Sequence, residues 1–219
     1  MTSKTAFAKF KLRFNKLDTN FSDELSEKIF CELFNKAQIH FVNKLLDTEA
    51  ANKDNSSILQ QILKNVKLTG IHQDNIYLVD IPEDWNWIIR VSCIDTKCNN
   101  TLNCLLVQEG NVGRLLQNEN WKPSVEWEET IYTYGDNKLR IYLDNFRLKE
   151  CNLVYYRNPI AIDIKTGKHN INDLPSTDIN PEWADSIVED IIDLAVLIAS
   201  TDVSDNNNFQ AKGQLRQIL

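Results

Sequence analysis

The stretch "WKPSVEWEET", residues 121 to 130, sets the indoles of Trp121 and Trp127 beside the carboxylates of Glu126, Glu128 and Glu129. Glycosidases pair two carboxylates across the scissile bond, and aromatic faces can hold the sugar rings beside them, so a carbohydrate-binding or hydrolysing cleft is one reading. On an extended strand Glu126 and Glu128 share a face about 7 Å apart. Neighbouring acids on one strand do not flank a bond from opposite sides, however. The reading preferred on burial tendencies makes Trp127 a core anchor, with the glutamates facing solvent or a partner.

Cys93, Cys98 and Cys104 form C-x4-C-x5-C with His72 upstream, a donor set of the kind zinc takes, and a small metal-stabilised binding module would follow from it. The spacing lacks the tight C-x2-C clamp, and free cysteines also serve as small apolar residues in strands. "GNVG", Gly110 to Gly113, matches the loop of a KH module, but Glu109 and Glu119 beside it make a turn the better reading. Phosphate-loop, dinucleotide-binding and nucleophile-elbow patterns are missing from the sequence. His40, His72 and His169 lie far apart with no nucleophile attached.

The composition limits the partners. Against 24 Lys and Arg stand 31 Asp and Glu, a formal charge of −7 over 219 residues, so a broad phosphate-gripping face is not expected. The 42% apolar and 25% charged content is that of a folded protein. No apolar run approaches the roughly 20 residues of a membrane span. The basic, phenylalanine-studded start "MTSKTAFAKFKLRFNKL" lacks the continuous apolar segment of a secretory signal, which predicts a cytosolic origin with its five cysteines reduced.

Apolar residues in 21–46 recur at three and four, through Leu25, Ile29, Leu33, Phe34, Ala37, Phe41, Leu45 and Leu46. That spacing predicts an amphipathic helix, capped by Ser22 and favoured by Asp23 and Glu24 in its first turn. A polar connection follows, and then "SILQQILKNVKL" as a second, shorter helix. From about Gly70 the β-branched and aromatic residues take over, with Pro82 marking an edge or a turn.

The clearest β pattern puts Val125, Trp127, Glu129, Ile131 and Thr133 on one face, and Leu139, Ile141 and Leu143 on one face of the next strand. Gly135, Asp136 and Asn137 supply the turn between them, of two or three residues. A third strand covers about 151–157. Residues 165–180 are turn-forming and lead to Asn180 as cap and Pro181 as first residue of a helix. Its stripe is Ala184, Ile187, Val188, Ile191, Ala195 and Ile198, with Glu182, Asp185, Glu189, Asp190 and Asp193 mainly opposite.

The predicted class is α+β: N- and C-terminal helices form a helical module into which an antiparallel β domain is inserted. The expected divisions are a helical part over 1–69, the β domain over 70–165, a turn region and helix over 166–202, and a tail over 203–219.

The run "NENWKPSVEWEETIYTYGDNKLRIYLDNFRLKECNLVYYRNPIAIDI", followed by "DLPSTDINPEWADSIVEDIIDLA", resembles structural proteins of crAss-like tailed bacteriophages, of the ring or adaptor type stacked between portal and tail. The likeness covers about residues 71 to 210. It implies a non-enzymatic virion component without cofactors, made in the host bacterial cytoplasm and assembled as a closed ring, a dodecamer, around the channel through which the genome passes. The implied partners are copies of itself, the portal, and neighbouring ring and tail proteins, with no membrane.

Twelve copies at −7 each carry about −84, and an acidic lumen would let DNA slide through without specific binding. Cyclic rings need two unlike faces on each subunit. Trp121, Glu126, Trp127, Glu128, Tyr132 and Tyr134 are the interface candidates of the β region, beside Tyr142, Tyr155 and Tyr156 in its aromatic load. Phe209, Leu215 and Ile218, with Leu219, are candidates in the tail, which has too little apolar surface to stand alone and is expected to dock into a neighbour such as the portal.

Overall fold

The computed structural model describes residues 1–17, 26–48, 57–166 and 174–203. The mixed α+β class holds. The chain divides into two compact units, one made of Met1–Gln61 with Pro159–Leu219 and the other of Ile62–Asn158.

In the first unit, α1 (Ser3–Leu17) and α2 (Glu27–Thr48) meet through phenylalanines. Phe30 of α2 lies 5.3 Å from Phe7 and 5.2 Å from Phe10, ring to ring. The buried stripe of α2 is Phe30, Cys31, Phe34, Ala37, Gln38, Val42 and Leu45. Expected core residue Ile29 is exposed, so the stripe is turned from the predicted one; the phenylalanine partners on α1 set which side faces in. The predicted cap Ser22, together with Asp23, Glu24 and Leu25, lies outside the described residues.

A buried amide network fixes the returning chain. Asn35 accepts the Ile162 N–H at 2.8 Å and donates to its carbonyl at 3.2 Å, as a neighbouring strand would. Gln38, 1% exposed, accepts the Trp183 indole N–H at 3.0 Å. Residues Asp163 and Ile179 exchange both backbone hydrogen bonds.

The last described helix runs Asp185–Val203, four residues later than predicted. Asn180 does not cap it: its side-chain oxygen accepts the Ser3 N–H at 3.0 Å, at the start of α1. Ala184 is exposed, and the buried residues are Ile187, Val188, Ile191, Ile192, Ala195, Val196, Ile198 and Ala199. Glu189 on this helix receives both Lys9 and Arg13 of α1, and Arg13 also reaches Asp193 at 2.7 Å.

The second unit is an eight-stranded sheet: β1 Leu63–Leu68, β2 Ile71–Gln73, β3 Ile76–Asp80, β4 Trp85–Asp95, β5 Thr101–Leu106, β6 Glu129–Gly135, β7 Lys138–Tyr142 and β8 Leu148–Arg157. Its order is β1-β8-β4-β5-β6-β7-β3-β2. The expected helix over 57–68 is corrected: Leu63–Leu68 is an edge strand, because pairing with β8 from Leu63↔Tyr156 to Leu68↔Cys151 outweighs the local three-and-four spacing. Nor is the sheet wholly antiparallel. β5 and β6 run parallel, Cys104 opposite Thr130 and Leu106 opposite Tyr132.

A parallel neighbour cannot be reached by a tight turn and needs a crossover. Residues 107–128 provide it, with a helix, α3, over Glu109–Gln117. "GNVG", expected as a turn, is therefore helical, and Val112 and Leu115 on that helix cover Ile131 and Tyr142. Between β6 and β7 the loop has two residues, Asp136 and Asn137, both with positive φ (53° and 57°), and Gly135 pairs with Lys138. This is the twist-compatible turn that Asp and Asn tolerate. Leu139 and Ile141 are fully buried, as their alternation predicts.

Gly70 is required by a close approach. A Cβ there would meet the Leu78 carbonyl oxygen at 2.2 Å and Val79 Cγ2 at 2.8 Å. Gly70→Ala should destabilise the protein by about 2 kcal/mol or more through displaced backbone. Gly113→Ala, in α3 with open space around it, should instead stabilise by about 0.5 to 1 kcal/mol. Urea unfolding midpoints of the two variants check both signs.

The Lys9 hydrogen bond, aided by the charges of Arg13 and Lys9 and outweighing slight burial, holds the Glu189 carboxyl below its ordinary value of 4.5. Its stabilising contribution is complete above that value and is lost as pH falls through the lower folded one. Thermal unfolding at stepped pH below about 5 should show a flatter acid limb for Glu189→Gln than for the wild type.

Candidate interaction surface

The crossover that delivers β6 also builds the surface around the tryptophans. At the end of α3, Asn118 donates its N–H to the Leu115 carbonyl at 3.1 Å. Its own carbonyl accepts the N–H groups of Trp121 (3.0 Å) and Lys122 (2.9 Å), while its side chain accepts that of Asn120 at 3.0 Å. One asparagine thus turns the chain back toward the sheet. Pro123 is buried beneath the turn.

Ser124 and Glu129 then exchange both backbone hydrogen bonds, at 2.9 and 3.2 Å, and pinch Val125–Glu128 into a tight loop. Glu128 closes that loop with φ of 54°. The strand begins only at Glu129, so the predicted common face of Val125, Trp127 and Glu129 does not exist, nor does the shared strand face of Glu126 and Glu128. The backbone reversal that the loop requires overrides the alternation. Trp127 is 77% exposed and anchors nothing, and Trp121 is 57% exposed.

Between the two indoles lies a 350 Å³ hollow with Leu105 on its wall and Thr130 and Ile131 at its floor. Thr130 is held by donating to the Tyr142 carbonyl. Glu119 and Glu129 line the hollow, and they are exposed, as are Glu126 and Glu128 on either side of Trp127 in the loop. None of the four forms an ion pair among the described residues.

The remaining sequence candidates divide clearly. Tyr134 is 49% exposed and meets Trp85 edge to face at 5.8 Å. Tyr132 is a core residue instead, 5% exposed, its hydroxyl pushed up to about 12 by burial and then by nearby Cys104. Tyr155, also buried, donates to Asp84 at 2.8 Å. Phe209, Leu215 and Ile218 lie outside the described residues. No protein-family model matches the chain, and none of the curated proteins does.

The proposed sulfur set is not assembled. Cys98 is exposed in the β4–β5 turn, while Cys93 and Cys104 are buried with their sulfurs 3.4 Å apart. Cys151 sits opposite Cys93 on β8 and completes a trio that linear spacing does not show. Hydrogen bonding to Cys104 and burial both push the Cys93 thiol up, which keeps it protonated and inert at neutral pH. His72 is occupied by the Leu148 carbonyl at 2.9 Å and by the Tyr77 ring. Among the described residues no group of three His, Cys, Asp or Glu is placed to hold a metal ion, and no helix is long and apolar enough to cross a membrane.

Exposure makes the tryptophan dispensable for folding. Trp127→Ser should change the unfolding free energy by less than about 0.5 kcal/mol. Glu128→Gly should raise it by about 1 kcal/mol by relieving the left-handed backbone. Equilibrium denaturation of both variants decides between a surface loop and a buried anchor.

Proposed function

We propose that the chain is a structural, non-enzymatic subunit of a phage head-to-tail connector, assembled as a closed ring through which the genome passes. In this reading the N- and C-terminal helices form a helical module and the sheet is the β domain inserted between them. The division of the chain after Gln61 and after Asn158 supports that arrangement. The resemblance of residues 71–210 to ring and adaptor proteins supports the family of assemblies.

The observation that carries the reading is the exposure of Trp121 and Trp127 beside uncompensated glutamates, on a sheet that also leaves Trp87, Ile71 and Leu106 in water. Two large indoles left in water suit a surface that a neighbouring subunit covers. The net charge of −7 per subunit repels DNA and suits a lumen that must not retain it. Portal and tail proteins would occupy the two ends of the ring, and the protein's place would be the head-tail junction of the virion.

Native mass spectrometry of the purified protein, alone and with the portal, should show a ring of about twelve 25.3 kDa chains. The same protein should appear in purified virions. A chain that stays monomeric in both mixtures and is absent from virions would overturn the reading.

A further inference from the structure

The tryptophan hollow has a definite chemical demand. Its lining sets Leu105, Trp121, Trp127 and Ile131 beside the carboxylates of Glu119 and Glu129, and the one cation on it, Lys122, already lies 3.7 Å from Asp144. Covering the indoles would bring Glu119 and Glu129 out of water without a counter-charge, with Glu126 and Glu128 flanking Trp127 in the chain. An occupant must therefore bring apolar side chains and positive charge together.

Four stretches of fourteen or more residues carry cations and no acid: 1–17, 33–46, 55–73 and 206–219. Three are already spent: in α1, Lys9 and Arg13 bind Glu189, Lys4 lies 3.7 Å from Asp178, and Phe10 and Phe14 are buried; 33–46 lies within α2, with Phe34, Ala37, Val42 and Leu45 buried; and 55–73 supplies β1, where Lys64 and Lys67 meet Asp84 and Glu150. The fourth is "NNNFQAKGQLRQIL", residues 206–219, in which Lys212 and Arg216 alternate with Phe209, Leu215, Ile218 and Leu219. Charge and apolar content both complement the hollow.

We infer that the hollow receives the 206–219 segment of a second copy of this chain, apolar side chains against Trp121 and Trp127 and Lys212 and Arg216 against the glutamates. Each copy then donates a segment and accepts one through a different surface, which is the heterologous contact that closes rings. The inference rests on the ring reading and names the contact that builds it.

Two complementary variants test it: a full-length donor carrying Trp121→Ala and Trp127→Ala, and an acceptor ending at Val203 with its hollow intact. Each alone should be monomeric. Mixed, they should form a 1:1 heterodimer by analytical ultracentrifugation, weakened at least tenfold by Lys212→Glu with Arg216→Glu in the donor, and weakened by raised salt.

If wild-type rings form but the mixture yields no heterodimer, the docking is wrong and the ring stands. If the heterodimer forms while the wild type neither closes into rings nor enters virions, the docking stands and the ring reading fails. A heterodimer insensitive to the charge reversal, an acceptor that binds neutral oligosaccharides but not the donor, or a wild-type monomer whose tryptophan emission shifts on deletion of 204–219 without heterodimer formation each overturns the docking.

Discussion

The parallel pairing of β5 with β6 governs much of what surrounds it. Once Cys104 lies opposite Thr130 in parallel register, the chain must leave one end of the sheet and return to the other. That path carries a covering helix, which buries Ile131 of β6 and Tyr142 of β7. It also obliges a sharp reversal before β6 begins, and the reversal throws Trp121 and Trp127 outward. Four consecutive residues of β6, Thr130 to Thr133, are buried as a result, a pattern that a strand covered on one face only would not show.

The other unit adds polar organisation to its apolar core where the returning chain crosses α2. Asn35 and Gln38 sit on the inward side of α2 and would be costly there without partners. Each has them: Asn35 copies a strand edge for Ile162, and Gln38 joins Asn35 to the Trp183 indole. Packing of phenylalanines holds α1 to α2, and these amides specify which backbone lies across the remaining surface.

What the sequence revealed follows from how local each signal is. The Asp136–Asn137 turn and the alternation through Leu139 and Ile141 depend on neighbours in the chain, and both appear as expected. The edge strand at Leu63–Leu68 depends on β8, nearly ninety residues away, so its apolar spacing alone pointed to a helix. The same holds for Trp127. Alternation counted it inward, whereas the Ser124–Glu129 pinch, visible only once β5 claims β6, turns it outward. Cys151 escaped the sulfur set for the same reason, being joined to Cys93 by register and not by spacing.

The outer strands carry a further consequence. β1 offers one unpaired edge, yet Lys64 and Lys67 stand along it, held by Asp84 and Glu150. At the opposite margin β2 is only three residues long. Charged gatekeepers at one side and brevity at the other deny a passing strand a template for main-chain pairing. Main-chain pairing between copies, and with it amyloid-like growth, is thereby disfavoured.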